Sequence, residues 1–411
     1  MPSGARGVKY RRIAGGLSSP TLSAIPILAV TFFDRLAVVV SRIRNTFSAA
    51  AMRVAPQTYD RLRLGRQLTR DFRERSAPSP SAFTVSVHQR NFAEPHTISI
   101  ARRRNRIKIS CQCAMFGKSP LLFRRLSALV PIVAGWPSEH ARLVAEISSS
   151  EHSGPGLVSF CSRDPRAILI PDEFFFRSRG YENYRCVARL NRADWDGRSN
   201  HIVWRGSTNG VGAISKDHLS AEDPELLPRV RLCLEMRGVP DSDVKLSAVG
   251  QSRDARIHED RLTKAGIFGE YISPLAWCGL KFAIDIDGHT NAWSNFFTRL
   301  IMGCCVLKIG SALGYRQWYY DEVKPWVHYV PVTADLSDLH ERIAWCRAHL
   351  AECRRIAERG QEFAMARDYE TELASAIRRV SDASENGALR SDIAVVRTVG
   401  IEPPLLSGTA F

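Results

Sequence analysis

Short apolar runs alternate with polar turns through the middle of the chain, and the spacing of apolar positions switches repeatedly between about two and about 3.6. Residues 96–101 (HTISIA) and 106–110 (RIKIS) alternate on either side of a basic turn at 102–105, which predicts an antiparallel strand pair. Residues 121–133 are mostly apolar and predict a helix that Pro131 kinks or ends. Residues 142–147, 157–160 and 167–170 read as short buried strands, the last stopped by Pro171. A second set follows. Residues 201–204, 244–249, 281–286 and 305–309 read as strands, and 222–236 as a helix with an acidic first turn. Residues 292–302, 336–350 and 351–366 read as further helices, the one after 335 capped by Asp335. Such alternation predicts an α/β layer fold in two successive halves that meet near residues 195–205. Open α/β sheets bind ligands at the carboxyl ends of their strands, so the segments after each second-half strand are the first places to look.

This patterning divides the 411 residues into a basic, Arg-rich extension (1–80), an N-terminal α/β domain (81–199), a C-terminal α/β domain (200–385) and a flexible tail (386–411). Charge sharpens the first boundary. The formal net charge is +15, and residues 1–110 hold 20 Lys and Arg against 5 Asp and Glu, leaving the rest neutral. The extension is therefore a basic arm on a neutral body, suited to anionic lipid, acidic glycan or nucleic acid. No nucleic-acid reading module is recognisable, so nucleic acid is not the expected partner. Residues 22–40 are the most apolar stretch, but Pro26 and the Asp34-Arg35 pair break them, so neither a membrane span nor a cleavable leader is expected there. The ten cysteines include no CxxC pair, which favours reduced thiols over zinc ligation or a disulfide framework and points to a cytoplasmic protein.

Three segments carry candidate chemistry. The first is VWRGSTNG, residues 203–210: a strand ends in Arg205, then a turn of small residues whose freed amides, with Ser207 and Thr208 hydroxyls, suit a phosphate. A plain turn beside a surface arginine fits the same residues. The second is DIDGHTNAW, residues 285–293, a strand entering a glycine turn and then a helix, with Asp287 or Thr290 as its cap and its first amides facing an anion. An ordinary strand–turn–helix connection fits this too. The third, residues 315–332, is dense in Tyr and Trp. Most of those rings are expected in the core, with His328 structural, although such rings also pack nucleobases and sugars.

Taken in order, VWRGSTNG, DIDGHTNAW, GCCVLKI, YRQWYYDEVKPWVHYVPV, DLSDL and IAERGQEF resemble glycosyltransferase family 90 over residues 201–363, with weaker agreement through SFCSRDPRAILIPDEFF at 159–175. The resemblance implies two facing Rossmann-like domains (GT-B type) with a cleft between them. It implies an inverting, metal-independent glycosyltransferase that moves a hexose or pentose from a nucleoside diphosphate sugar, with a uridine diphosphate sugar expected first and no further cofactor. The implied acceptor is a glycan or lipid-linked saccharide, in lipopolysaccharide or surface polysaccharide synthesis, at the cytoplasmic face of a membrane.

On the family's pattern Arg205, Gly206, Ser207 and Thr208 face the diphosphate, and Asp287 and Gly288 form a second phosphate-facing turn. Many members place an arginine where this chain has Ser294, so Arg299 and Lys308 become candidates for the second cation. The family's general base is an aspartate ahead of the segment at 159–160. Here that region carries Glu151, the candidate base, and Glu146 in reserve. A protein of the same fold that binds nucleotide or glycan without catalysis is the alternative.

Overall fold

A computed structural model describes residues 56–75, 84–92, 96–138, 140–147, 157–191, 194–214, 219–250 and 254–386. The basic arm ahead of residue 56, the candidate base Glu151 and the tail after residue 386 lie outside them. Residues from Pro56 onward form one compact unit. No helix among the described residues is long and apolar enough to cross a membrane.

The unit opens with helix α1 (Pro56–Arg75), which lies inside the stretch read as a basic extension. Leu64 and Leu68, one turn apart, are fully buried by it. Then come β1 (Thr84–Gln89), β2 (Thr97–Arg103), β3 (Arg106–Cys111), α2 (Cys113–Lys118), α3 (Pro120–Ala128), α4 (Val130–Ala134) and β4 (His140–Glu146). The predicted hairpin is β2–β3 in antiparallel register, and the predicted helix at 121–133 is α3 and α4, parted at Leu129 just before Pro131. Strands β5 (Val158–Ser159) and β6 (Ile168–Leu169), then helices α5 (Glu173–Arg177) and α6 (Glu182–Leu190), finish the first half. Its six strands run in the order β1-β3-β2-β4-β5-β6, and the β2 pairings are antiparallel. This sheet is mixed, whereas the resemblance implied a Rossmann-like one.

The second half holds β7 (Ser199–Ser207), α7 (Pro228–Glu235), β8 (Ser242–Ala248), α8 (Ala255–Lys264), α9 (Pro274–Trp277), β9 (Leu280–Asp285), α10 (Asn295–Ile301), β10 (Cys305–Ile309) and β11 (Val330–Val332). Helices α11 (Leu339–Ala348), α12 (Leu350–Met365) and α13 (Tyr369–Glu385) close it. The sheet order is β11-β10-β9-β7-β8 with every pairing parallel. Parallel strands are covered on both faces, which explains why β10 is buried at all five positions. Helix α12 lies so close behind the sheet that a Cβ on Gly360 would stand 2.7 Å from the His328 carbonyl. His328 itself is structural: its ring packs on Phe363 and its Nδ1 accepts the Lys324 amide at 2.8 Å.

Three local expectations are corrected. Helix α7 starts at Pro228, because Asp223 spends its carboxylate on the Glu225 amide in a preceding turn and proline suits the first helical position. Helix α10 starts at Asn295 and has seven residues; Asp287 and Thr290 cap nothing. Asp338, not Asp335, stands at the head of α11, while Asp335 accepts the amide and hydroxyl of Ser337.

The halves are not separate bodies. One apolar core runs from Ile98 and Leu143 in the first sheet through Phe175 to Phe297, Trp318 and Val380. Helix α13 returns to pack on β4 and β6. Arg185 of α6 is buried, and its guanidinium donates to the carbonyls of Gly180, Ala364, Met365 and Arg367, which fastens α6 to the end of α12.

Candidate functional site

At the carboxyl ends of β7 and β9 the chain turns sharply twice, and a cavity of about 420 Å³ opens between these turns and helices α3 and α5. Residues 204–207 and 209 line one side, 286 and 288–295 another, and Leu121, Arg125 and Phe174 the third. A neighbouring hollow of about 190 Å³ shares the 286–290 turn and extends over residues 309–313 at the end of β10.

Strand β7 sets the first wall. Trp204 and Gly206 share a face, and the Trp204 ring occupies the space a Cβ on Gly206 would need. The pairing with β8 slips between Gly206 and Ser207, a bulge that turns the strand end toward the cavity. Arg205 is on the other face. Its Nε donates to the Glu270 carbonyl (2.8 Å), Nη1 to the carbonyls of Trp204 (2.9 Å) and Asp243 (2.7 Å), and Nη2 to the Asp243 carboxylate (2.6 Å). Four of its five N–H groups are thus engaged within the protein. Thr208 is likewise occupied, its hydroxyl accepting the Gly250 amide at 2.8 Å.

The cation that joins the two turns is Arg229, on α7. Its Nη1 donates to the Ser207 carbonyl (3.2 Å), Nη2 to Ile286 (3.1 Å) and Nε to Asp287 (2.9 Å). Burial lowers its pKa, and the carboxylates of Asp285 and Asp287 work in the opposite sense. Gly288 is needed beside it, since a Cβ there would come within 3.1 Å of Nη2.

Beneath the second turn lies a buried ion cluster. Lys308 is the direct parallel neighbour of Asp285, and its ammonium meets Asp285 at 2.9 Å and Asp287 at 3.2 Å. Burial opposes the charge on Lys308, but the two carboxylates outweigh it and raise its pKa. Asn291 donates to Asp287 and to the Tyr315 carbonyl, and Asn295 to Asp285. This network fixes the 286–295 segment, which α10 alone is too short to hold.

Of the other expected residues, Arg299 is turned away from the cavity: its guanidinium lies 3.4 Å from the centre of the Trp277 ring, and burial lowers its pKa to about 10. Lys308 serves the ion cluster. Neither is the second cation of the cavity. Glu146 ends β4, buried between Thr97 and Ser159, and is not part of the cavity wall. The turns at 206–207 and 288 do converge, as their glycines suggested.

Arg125 and Arg229 were not legible from the sequence. Arg125 is 7% exposed, on α3, with its guanidinium 4.6 Å from the centre of the Trp293 ring. Burial lowers its pKa, and the largest opposing influence is Glu173. The lining includes three arginines and, among the described residues, no carboxylate. No group of three His, Cys, Asp or Glu among the described residues is placed to hold a metal ion.

Fold and site together define an α/β protein with a cationic cavity at the carboxyl ends of a parallel sheet. A model of glycosyl transferase family 90 matches residues 133–370, and the chain belongs to that family. It is similar to the uncharacterized protein 035R of Invertebrate iridescent virus 3, 34% identical over 169 residues that make up 41% of this chain and 15% of that protein. Protein O-glucosyltransferase 3 of Rattus norvegicus is 27% identical over 235 residues, 55% of this chain and 40% of the relative. The chain thus spans well under half the length of these curated relatives. Among solved structures, Anabaena Alr3699/HepE in complex with UDP-glucose aligns over 49% of this chain and 53% of that one, at 12% identity and a TM-score of 0.31.

Proposed function

We propose that the chain is an inverting glycosyltransferase that moves a hexose or pentose from a nucleoside diphosphate sugar, preferentially a uridine one, to a glycan or lipid-linked acceptor. Family membership over residues 133–370 supports sugar transfer as the chemistry. The single observation that carries the donor site is the pair of turns at 206–209 and 286–290 held together by Arg229, facing a cavity that holds no carboxylate among the described lining residues. A diphosphate over these turns would meet backbone amides and a cation, the stabilisation a departing diphosphate needs without a metal. On this reading the nucleoside points into the hollow over 309–313, and the sugar and the acceptor share the larger cavity.

In the transfer, an acceptor hydroxyl oxygen attacks the anomeric carbon from the face opposite the leaving group. The bond from that carbon to the diphosphate oxygen breaks, its electron pair leaves with the diphosphate, and a base takes the hydroxyl proton. Glu151 is the proposed base. Lipopolysaccharide or another surface polysaccharide is the proposed destination, with the arm ahead of α1 holding the enzyme to the cytoplasmic face of an anionic membrane.

The test is a panel of uridine, guanosine and cytidine diphosphate sugars, read by thermal stabilisation and by slow release of free sugar. A shift specific to one nucleotide, lost in Arg229→Met, is expected. Absence of a shift with every nucleotide refutes the donor site, and a shift without turnover of donor under any acceptor refutes catalysis. Removal of residues 1–55 is expected to release the protein from anionic vesicles while sparing turnover of a soluble acceptor.

A further inference from the structure

The three arginines around the cavity differ in how far the protein already uses them. Arg205 has four N–H groups committed and Arg229 has three. Arg125 has one: Nη1 donates to the Ile147 carbonyl at 3.2 Å. Its Nε is buried with no hydrogen-bond partner. Burying a guanidinium with an unpartnered N–H is costly, and proteins seldom keep such a group without a ligand or partner for it. Glu173 and Glu146 influence its charge, but neither forms an ion pair with it; Glu173 instead lies 3.6 Å from Arg124 and 3.5 Å from Arg177. The Trp293 indole, its ring centre 4.6 Å from Cζ, backs the guanidinium and restrains this planar fork at the cavity wall.

Position decides what this fork is for. Arg125 belongs to α3 and lines the cavity with Leu121 and Phe174; its guanidinium rests against Trp293 and, unlike that of Arg229, donates to the carbonyl of Ile147 and not to the turns at 206–207 and 288. It also lies ahead of residues 133–370, the part matched by the family model. A diphosphate seated over the two turns has Arg229 for its charge, so a second fork, carried by α3 and outside the bonds that join the turns, suits a second, separate oxyanion. A planar guanidinium with adjacent free N–H groups is matched in geometry by carboxylate and phosphate oxygens.

We propose that Arg125 is a specificity-determining residue that binds a carboxylate or phosphate carried by the acceptor, so that the acceptor is an acidic saccharide rather than a neutral one. This rests on the donor-site reading above for the word acceptor, but the anion site itself is testable without any nucleotide.

The experiment uses the full chain and calorimetric titration with methyl β-glucuronide, glucose 6-phosphate and methyl β-glucoside, each with and without uridine diphosphate. Wild type is expected to bind one of the two acidic probes at least tenfold more tightly than the neutral glucoside. Arg125→Met keeps the length of the side chain and its contact with Trp293. It is expected to erase that preference, change uridine diphosphate affinity less than twofold, and leave Tm unchanged or raised, because an under-used buried charge has been removed. Arg125→Lys, a point charge without a fork, is expected to retain only part of the preference. Equal binding of acidic and neutral probes by wild type overturns the proposal, as does a preference that survives in Arg125→Met. A tenfold loss of uridine diphosphate binding in that variant assigns Arg125 to the donor's diphosphate and also overturns it. A large fall in Tm, or failure to fold, makes the arginine a structural one and overturns the proposal too. If wild type prefers the acidic probes yet binds no nucleotide, the donor-site reading fails and the anion site stands.

Discussion

Replacing Arg229 with methionine removes a side chain that hydrogen-bonds to both turns, and the size of the effect follows from its contacts. Three N–H groups donate to three carbonyls at 2.9, 3.1 and 3.2 Å. A hydrogen bond from a charged donor contributes about 1.5–3 kcal/mol net. The longest of the three is the weakest, and water entering from the cavity can recover some of the orphaned carbonyls. Three bonds at the low end sum to about 4.5 kcal/mol, and the recovery by water brings the expected loss to about 3 kcal/mol. Roughly 300 ordered residues at about 2 cal/mol/K each give an unfolding entropy near 0.6 kcal/mol/K, so Tm should fall by about 5 °C. Methionine also removes the charge offered to a diphosphate, and a loss of about 1.4–2.8 kcal/mol there weakens nucleotide binding ten- to a hundredfold. Differential scanning calorimetry and titration with uridine diphosphate measure the two separately. Arg229→Lys restores a charge but cannot span three carbonyls as a fork does, so it should recover affinity better than Tm. A methionine variant with Tm within 1 °C of wild type and unaltered nucleotide affinity would refute both the bridging role and the donor site.

Lys308→Met removes the cation that bridges Asp285, fully buried, and Asp287, and should destabilise by about 3–5 kcal/mol. Adding Asp285→Asn should recover part of this in urea titrations; no recovery means that packing, not charge, set the cost. Gly206→Ala forces a Cβ into the space of the Trp204 ring, and should cost about 1–3 kcal/mol while lowering nucleotide affinity through the displaced ring. Unaltered affinity with lowered stability would detach Trp204 from the site. Asp172 is fully buried at the head of α5, and burial raises its pKa from 3.8 to about 7 against the bonds from Phe175, Tyr181 and Phe174. Between these values the folded state holds a proton that the unfolded state has released, so this contribution is full below pH 3.8 and falls as pH rises to about 7, by at most about 4 kcal/mol. Urea midpoints at pH 5 and 8 should diverge less in Asp172→Asn than in wild type; equal divergence removes Asp172 as the cause.

Much of the second sheet was readable because burial on both faces leaves uninterrupted apolar runs. CVLKI at 305–309 is β10 residue for residue, and β8 and β9 lie within two residues of their expected spans. Helix boundaries were less readable, since acidic residues that suit a first helical turn suit a preceding turn as well. Asp223 took the second role, and the helix waited for Pro228. In the first half, Leu64 and Leu68 stand at helical spacing but are surrounded by Arg61, Arg63, Arg66 and Arg70, so the pattern reads as a charged extension. Strand β1 alternates buried Val85 and Val87 with polar neighbours, a pattern present in the sequence but lost beside the stronger hairpin that follows.

The site divides in the same way. Glycine turns at strand ends are local signals, and those at 206 and 288 do converge. Arg229 could not be found locally, because its partners lie 22, 57 and 58 residues away. Arg205 stood out because it adjoins a glycine turn, yet strand alternation sends its side chain to Asp243 and Glu270. The number of engaged N–H groups, four for Arg205, three for Arg229 and one for Arg125, orders what each substitution should do. A donor already satisfied by the protein contributes to stability and has little left for a ligand, while an unused donor does the reverse. Methionine at each position should therefore lower Tm most at 205, less at 229 and not at all at 125. Arg229 alone should combine a clear loss of Tm with a clear loss of nucleotide, and Arg125 should affect only acidic saccharides. If Arg205→Met abolishes nucleotide binding while leaving Tm unchanged, engagement within the fold is not what separates the three, and the first turn binds its anion through Arg205 after all.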